Sequence, residues 1–339
     1  MDVPDLFNAT TATVAVVPRI AGDGRPLALV VIKERFYLAP NGRLSRMGDA
    51  EVRYTDEPWD PENPATSSTR RPADTCIHKP STDVLVAGYA MLPGRRPVSS
   101  LDVLVEVGPV SRALRVTGPR VWYEGAAGLT LTEPEPFVEV PLQWELAWGG
   151  TDASDESQGP LEEARNPVGR GVARRAESLV HRAGPQIEDP AAPITEVGRH
   201  EPWGVAPIAR HWSPRRAWAG TMDTAWMRSR MPLPPLDLDP RFEQVATPPM
   251  VAPGYLRGGE RVRLHHLCAD GALEFELPRM QFSVLARRDD GDAPAAVVLD
   301  TVLLEPHERV VELTWRALVG LPRPARRLIE IRVDEKELR

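Results

Sequence analysis

Short runs of alternating apolar and polar residues, each stopped by glycine or proline, constrain this chain more than anything else in it. Leu101-Asp102-Val103-Leu104-Val105-Glu106-Val107 places an apolar side chain at every odd position, Gly108-Pro109 interrupts it, and Leu114-Arg115-Val116-Thr117 resumes it. A period of two sends successive side chains to opposite faces of a strand. The 36 prolines leave little room for a long helix, because each removes an amide donor and fixes φ. The pattern predicts a mainly β, antiparallel, sandwich-like architecture with long irregular insertions and few short helices.

Other stretches agree. Residues 9–17 and 27–38 are β-branched and apolar and flank the polar turn Gly22-Asp23-Gly24, which predicts a strand pair. A further strand follows Lys79-Pro80-Ser81-Thr82-Asp83. Val262 and Leu264 alternate, and Asp270-Gly271 predicts a hairpin into Leu273, Phe275 and Leu277. Phe282–Val284, Val297–Leu304, Val311–Trp315 and Ile329–Val333 are the remaining strand candidates. Residues 40–75 show no periodicity and read as a long surface excursion. Residues 152–202 are acidic, then arginine-rich, with room for a short helix over 172–182 and little sign of core. A second short helix is expected over Asp239–Val245, with aspartate as cap and proline at the first position. The chain thus divides into an N-terminal β portion (1–150), an irregular insertion (151–202) and a Trp/Pro-rich segment leading into a second β portion (203–339). The tryptophan and glycine motifs are expected to meet at the seam between the two β portions.

A formal net charge of −7 argues against nucleic acid or an anionic membrane as the main partner. No run of about 18 apolar residues is present to form a transmembrane helix. The N-terminus has neither the basic nor the apolar region of a signal peptide, and the two distant cysteines, Cys76 and Cys268, suit a reducing cytoplasm. A cytoplasmic location is therefore expected.

Candidate chemistry is sparse. Cys76-x-His78 and His266-x-Cys268 offer thiols and imidazoles, but their spacing is not that of a zinc site, and no metal or cofactor is expected. There is no Gly-x-Ser-x-Gly elbow, and no catalytic residue is assigned. Asn166-Pro167-Val168-Gly169-Arg170-Gly171 lacks the ending of a phosphate loop. Nine tryptophans could serve as a sugar platform or could simply fill core. Tryptophan and arginine are also the residues richest in binding hot spots. Only three of the 41 basic residues are lysines, so the forked guanidinium dominates.

The centre of the chain reads Val140-Pro141-Leu142-Gln143-Trp144-Glu145-Leu146-Ala147-Trp148-Gly149-Gly150-Thr151-Asp152, a strand-like approach ending in a glycine corner. A second glycine-punctuated turn follows at Asn166–Gly171. With Lys79-Pro80-x-Thr82-Asp83, Gly118-x-Arg120-x-Trp122, Trp212 with Arg216, Gly220-Thr221-x-Asp223-x-x-Trp226, Leu256-x-Gly258-Gly259-Glu260, Asp300-Thr301 and Trp315-Arg316, these form an ordered set. The set resembles the bacterial "domain of unknown function 2169" family from about residue 7 to about residue 320. The chain departs from the family pattern at Pro119, at Met222 and at Gly184-Pro185-Gln186-Ile187-Glu188.

The resemblance implies a non-enzymatic adaptor or chaperone of type VI secretion, which binds a toxic effector and helps load it onto the spike and its tip. It marks Lys79, Asp83, Trp148, Gly149, Gly150, Asp152, Asn166, Gly169, Arg170, Gly171, Trp212, Arg216, Gly220, Asp223 and Trp226 as motif or partner-binding candidates. Anchors are expected around Trp148, Arg170, Trp212, Arg216 and Trp226. Two other readings stay open, an uncharacterised enzyme from the same gene neighbourhood and a tryptophan-based carbohydrate binder. Oligomeric state is not fixed by the sequence.

Overall fold

The computed structural model describes residues 5–126, 128–289, 291–321 and 328–336. Twelve strands carry the fold. They are β1 (Asp5–Asn8), β2 (Thr13–Ile20), β3 (Pro26–Leu38), β4 (Asp83–Val86), β5 (Ser100–Val107), β6 (Val110–Thr117), β7 (Arg261–His265), β8 (Ala272–Glu276), β9 (Gln281–Arg288), β10 (Val297–Glu305), β11 (Val310–Gly320) and β12 (Leu328–Lys336). The first sheet runs β2-β3-β11-β10-β4, with Leu44–Arg46 also paired to β3. The second runs Ile187–Glu188, β6, β5, β7, β8, and the third β1-β12-β9-Ala293–Ala295. Neighbours are antiparallel except β10 with β4 and β1 with β12. The chain is therefore mainly β, as its alternation predicts.

The long strand β3 is buried on both faces. Ala28, Val30 and Ile32 enter the main core, which they share with Val103, Val105 and Leu114 of the second sheet. Leu29 and Val31 turn the other way and meet Val17, Val52 and Ile77. Each such side chain contributes about 1.5–3 kcal/mol on full burial.

The cover over that second face is the 40–75 segment, and here the structure corrects the surface excursion. Ser68, Thr69 and Asp74 are buried, as is Cys76 just beyond the segment. Lys33 of β3 reaches Asp74 at 2.6 Å and Glu312 of β11 at 3.0 Å, and Arg53 also pairs with Glu312. Isolated charges cannot be buried cheaply, so the sheet's polar stripe fixes the segment in place. Nothing in the segment's own periodicity shows this, because its partners lie up to 259 residues away.

Residues 152–202 are irregular, as read, but carry a core of their own. Leu179 and Ile194 pack with Trp122 and Trp148, and Ile187–Glu188 extends the second sheet. In place of a helix over 172–182 there is one 3-10 turn, Ala176–Leu179. The turn at Pro240–Glu243 forms as expected, with Asp239 accepting from the Arg241 amide at 2.9 Å. The expected pairing of Leu264 with Leu273 also forms. Its connection is longer than a two-residue turn, with φ of +61° at His266 and +86° at Gly271. Among the described residues no helix is long and apolar enough to cross a membrane.

Candidate partner-binding site

The motif residues separate into two buried knots, a tryptophan-walled cleft and an exposed lobe. The first knot gathers three motifs that lie far apart in sequence. Lys79 donates to Thr301 Oγ1 at 2.7 Å and pairs with Asp83 at 2.9 Å. Thr301 donates to Asp300 at 2.8 Å, and Asp300 pairs with Arg316. Arg316 also donates to the carbonyl of Asp74 at 2.8 Å. The Asp83 oxygen that meets Lys79 also accepts from the Val245 amide at 2.8 Å, while its second oxygen is buried without a partner among the described residues. Burial alone would raise the Asp300 pKa, but the charges of Arg316 and Lys79 outweigh it and hold the carboxyl below its usual range. Burial would likewise depress Lys79, yet Asp83 keeps it above the ordinary value. All four charges are buried and paired: Lys79 ties the 79–83 turn to β10, and the Asp300–Arg316 pair ties β10 to β11.

The second knot is the glycine corner. Trp148-Gly149 pairs in parallel with Arg170-Gly171. Asn166, fully buried, donates from Nδ2 to the carbonyls of Trp144 and Trp148, both at 2.9 Å, while its own carbonyl accepts from Gly150. A Cβ on Gly149 would stand 2.2 Å from the Asn166 carbonyl oxygen, and one on Gly169 2.3 Å from Asn166 Nδ2. Two backbones touch here, and only glycine permits it. Trp148 is buried, with its ring edge against His200. Asp152 accepts from the amides of Ser154 and Arg174 at 2.9 and 2.8 Å, and bonds from these two residues lower its pKa to about 2. Arg170 is half-buried, its pKa lowered by burial, and its nearest acceptor is Gln186 at 3.4 Å. Trp148, Gly149, Gly150, Asn166, Gly169 and Gly171 are thus architecture. Trp148 also lines a cleft of about 360 Å³ with Leu161, Val172 and Arg199.

A cleft of about 350 Å³ lies where the N-terminal β portion, the insertion and the C-terminal segment meet. Its walls include Trp144, Trp203, Ile208, Pro214 and Pro248. Trp144 packs edge-on against buried Trp212 at 6.2 Å and donates to the Pro207 carbonyl at 3.0 Å. The Arg112 guanidinium lies 3.3 Å over the Trp203 ring. Its Nε is buried without an acceptor, and it forms no ion pair among the described residues. Burial lowers its pKa. Arg112 was missed at the sequence level, although alternation along β6 puts it on the same face as Val110, Leu114 and Val116, an odd place for a charge.

Beyond Trp212 the chain makes two short helices, α1 (Arg215–Trp218) and α2 (Thr224–Ser229). Arg216 is exposed. Its neighbour Arg215, which was not singled out, is the buried one, donating to the carbonyls of Ile208 at 2.7 Å and Phe242 at 3.0 Å. Burial lowers the Arg215 pKa to about 10. Gly220 takes φ +78° where a Cβ would strike Pro235. Asp223 caps α2 by accepting from the Trp226 amide at 2.8 Å, and half-buried Trp226 donates to the Leu233 carbonyl at 2.9 Å. These bonds fold the lobe back on itself and leave Met222, Met227, Met231 and Leu236 in solvent. Leu236 is 86% exposed, the most exposed of the large apolar side chains described.

Five of the nine tryptophans are buried and four half-buried, which counts against a flat, open stacking surface for sugars. The Cys76 thiol is raised to about 11 by burial. Among the described residues no group of three or more His, Cys, Asp or Glu side chains is arranged to hold a metal ion.

A family model described as "Uncharacterized protein conserved in bacteria (DUF2169)" matches residues 23–316. Neither a curated protein nor a solved structure matches the chain.

Proposed function

This chain belongs to the DUF2169 family of uncharacterised bacterial proteins, and we propose that it is a non-enzymatic adaptor that binds a type VI secretion effector and helps load it onto the spike. The observation that carries the reading is the lobe. Four of its apolar side chains lie in solvent within residues 222–236, beside Gly220, Asp223 and Trp226 of the ordered motif set. A soluble surface rarely clusters apolar side chains without a use for them, and methionine adapts its shape to a partner at low cost. An adaptor must grip its cargo and later release it. A few anchors on a fixed scaffold suit that better than a broad obligate interface. The scaffold is the pair of buried knots, and the Trp-walled cleft with Arg112 is a second place for contact.

The test is reconstitution. The purified chain is mixed with the purified effector and spike proteins encoded beside it. A stoichiometric complex is expected, and Met227→Asp/Leu236→Asp should dissociate it while leaving the fold intact. If the wild-type chain binds neither protein, the adaptor reading fails.

A further inference from the structure

A second concave site opens where the chain passes from the third sheet to the first. Ala295 is still paired with Val284 of β9, yet two residues later Val297 is paired with Ala317 of β11. β9 meanwhile continues beside β12 back to Gln281. The two sheets diverge at this point, and the turn at 255–259 closes the third side, held by the bridge between Leu256 and Leu299. The cleft, open to solvent on its remaining side, has a volume of about 630 Å³.

Its floor is apolar. Phe282 and Trp315 meet edge to face with centroids 4.9 Å apart, beside Leu299 and Val297. Its rim is cationic, formed by Arg257 and Arg279, both exposed. Neither side chain has an ion pair or hydrogen bond among the described residues. Gly258 and Gly259, both at φ +86°, bring the two arginines to one rim. A Cβ on the first would stand 2.3 Å from the Pro278 carbonyl oxygen, and one on the second 2.4 Å from Arg279 Nε. The nearby acid Glu260 is turned away: one oxygen accepts from the Arg257 amide at 2.8 Å, and the other is buried without a partner. Among the described residues no acidic side chain lines the cleft, in a chain whose net charge is −7.

We propose that this cleft binds an extended acidic segment of a partner protein. One apolar side chain of the segment lies over Phe282 and Trp315, and flanking carboxylates fork onto Arg257 and Arg279. Guanidinium and carboxylate match in geometry and charge, and an apolar floor beside them selects a peptide over a bare polyanion. A nucleic acid would instead need a broad basic surface. Nothing in this binding depends on the secretion role or on the lobe.

The test uses the purified full chain and a fluorescein-labelled octapeptide of alternating glutamate and leucine, followed by anisotropy. Its lysine–leucine counterpart and octanoate serve as competitors. The acidic peptide is expected to bind, the lysine peptide not to compete, and strong salt to weaken the complex. Arg257→Ala/Arg279→Ala should lose affinity by about ten-fold or more. Both arginines are exposed and unpaired among the described residues, so that variant should fold, as circular dichroism would show. Val298→Glu, which adds an acid to the lining, should also abolish binding. The proposal is overturned if the acidic peptide does not bind, if the lysine peptide competes equally, or if the double variant binds as wild type. Displacement by octanoate as effective as by the unlabelled peptide would overturn it too, by making the site one for small amphiphiles.

Discussion

The knot around Asp300 and Arg316 and the lobe at 212–240 both carry family motifs, yet they differ in every physical respect. In the knot, four charges are buried and paired with one another and with backbone groups. In the lobe, two helices of four and six residues and the turns around them leave large apolar side chains in water. The contrast teaches that a motif's residue types do not reveal its role. Lys79 and Asp83 resemble chemistry but serve as framework, whereas the methionines around Asp223 resemble filler but form the available surface.

If that contrast holds, damage to the knot should cost stability and damage to the lobe should not. The largest effect is expected from Asp300→Ala, which leaves Arg316 buried without its anion and should destabilise by about 3–5 kcal/mol in urea unfolding. The knot and the polar stripe that holds Lys33, Arg53 and Glu312 should both respond to acid. The folded pKa values of Asp300 and Glu312 lie below the ordinary range, so their contribution is full above about pH 4–5. It is lost as pH falls through the depressed values. Unfolding midpoints measured from pH 7 to pH 2 should drop in that lower window, and less steeply in Asp300→Ala.

Next in size is the adjacent pair on α1. Arg215→Ala abandons two buried carbonyl acceptors and should cost about 2–3 kcal/mol, while Arg216→Ala should change stability by no more than about 0.5 kcal/mol. Equal effects would erase the distinction drawn within that helix. Gly149→Ala should follow, at about 1–3 kcal/mol, because its φ of +150° and the Asn166 carbonyl leave no place for a Cβ. Chemical denaturation of the purified variant checks it. Smallest of all is Met227→Ala, expected within about 0.5 kcal/mol of wild type.

Much of the fold was legible because alternation is local. Leu101–Val107 and the stretch around Val311–Trp315 declare their faces without any partner. The role of 40–75 was not, since its order comes from Lys33, Glu312 and Arg316, none of them in that stretch. Asn166 and the glycines were readable as a corner, but its purpose depends on which backbone passes beneath it. Arg112 could have been found by counting along β6. Arg215 could not have been separated from Arg216, because the phase of a four-residue helix leaves no periodic trace.

The central claim is that the knots build and the lobe binds. It is tested most directly by comparing wild type with Met227→Asp/Leu236→Asp in two assays at once, thermal unfolding and reconstitution with the purified effector and spike protein. The account predicts equal melting temperatures and a complex formed only by the wild type. A variant that melts like wild type and still forms the complex would contradict it.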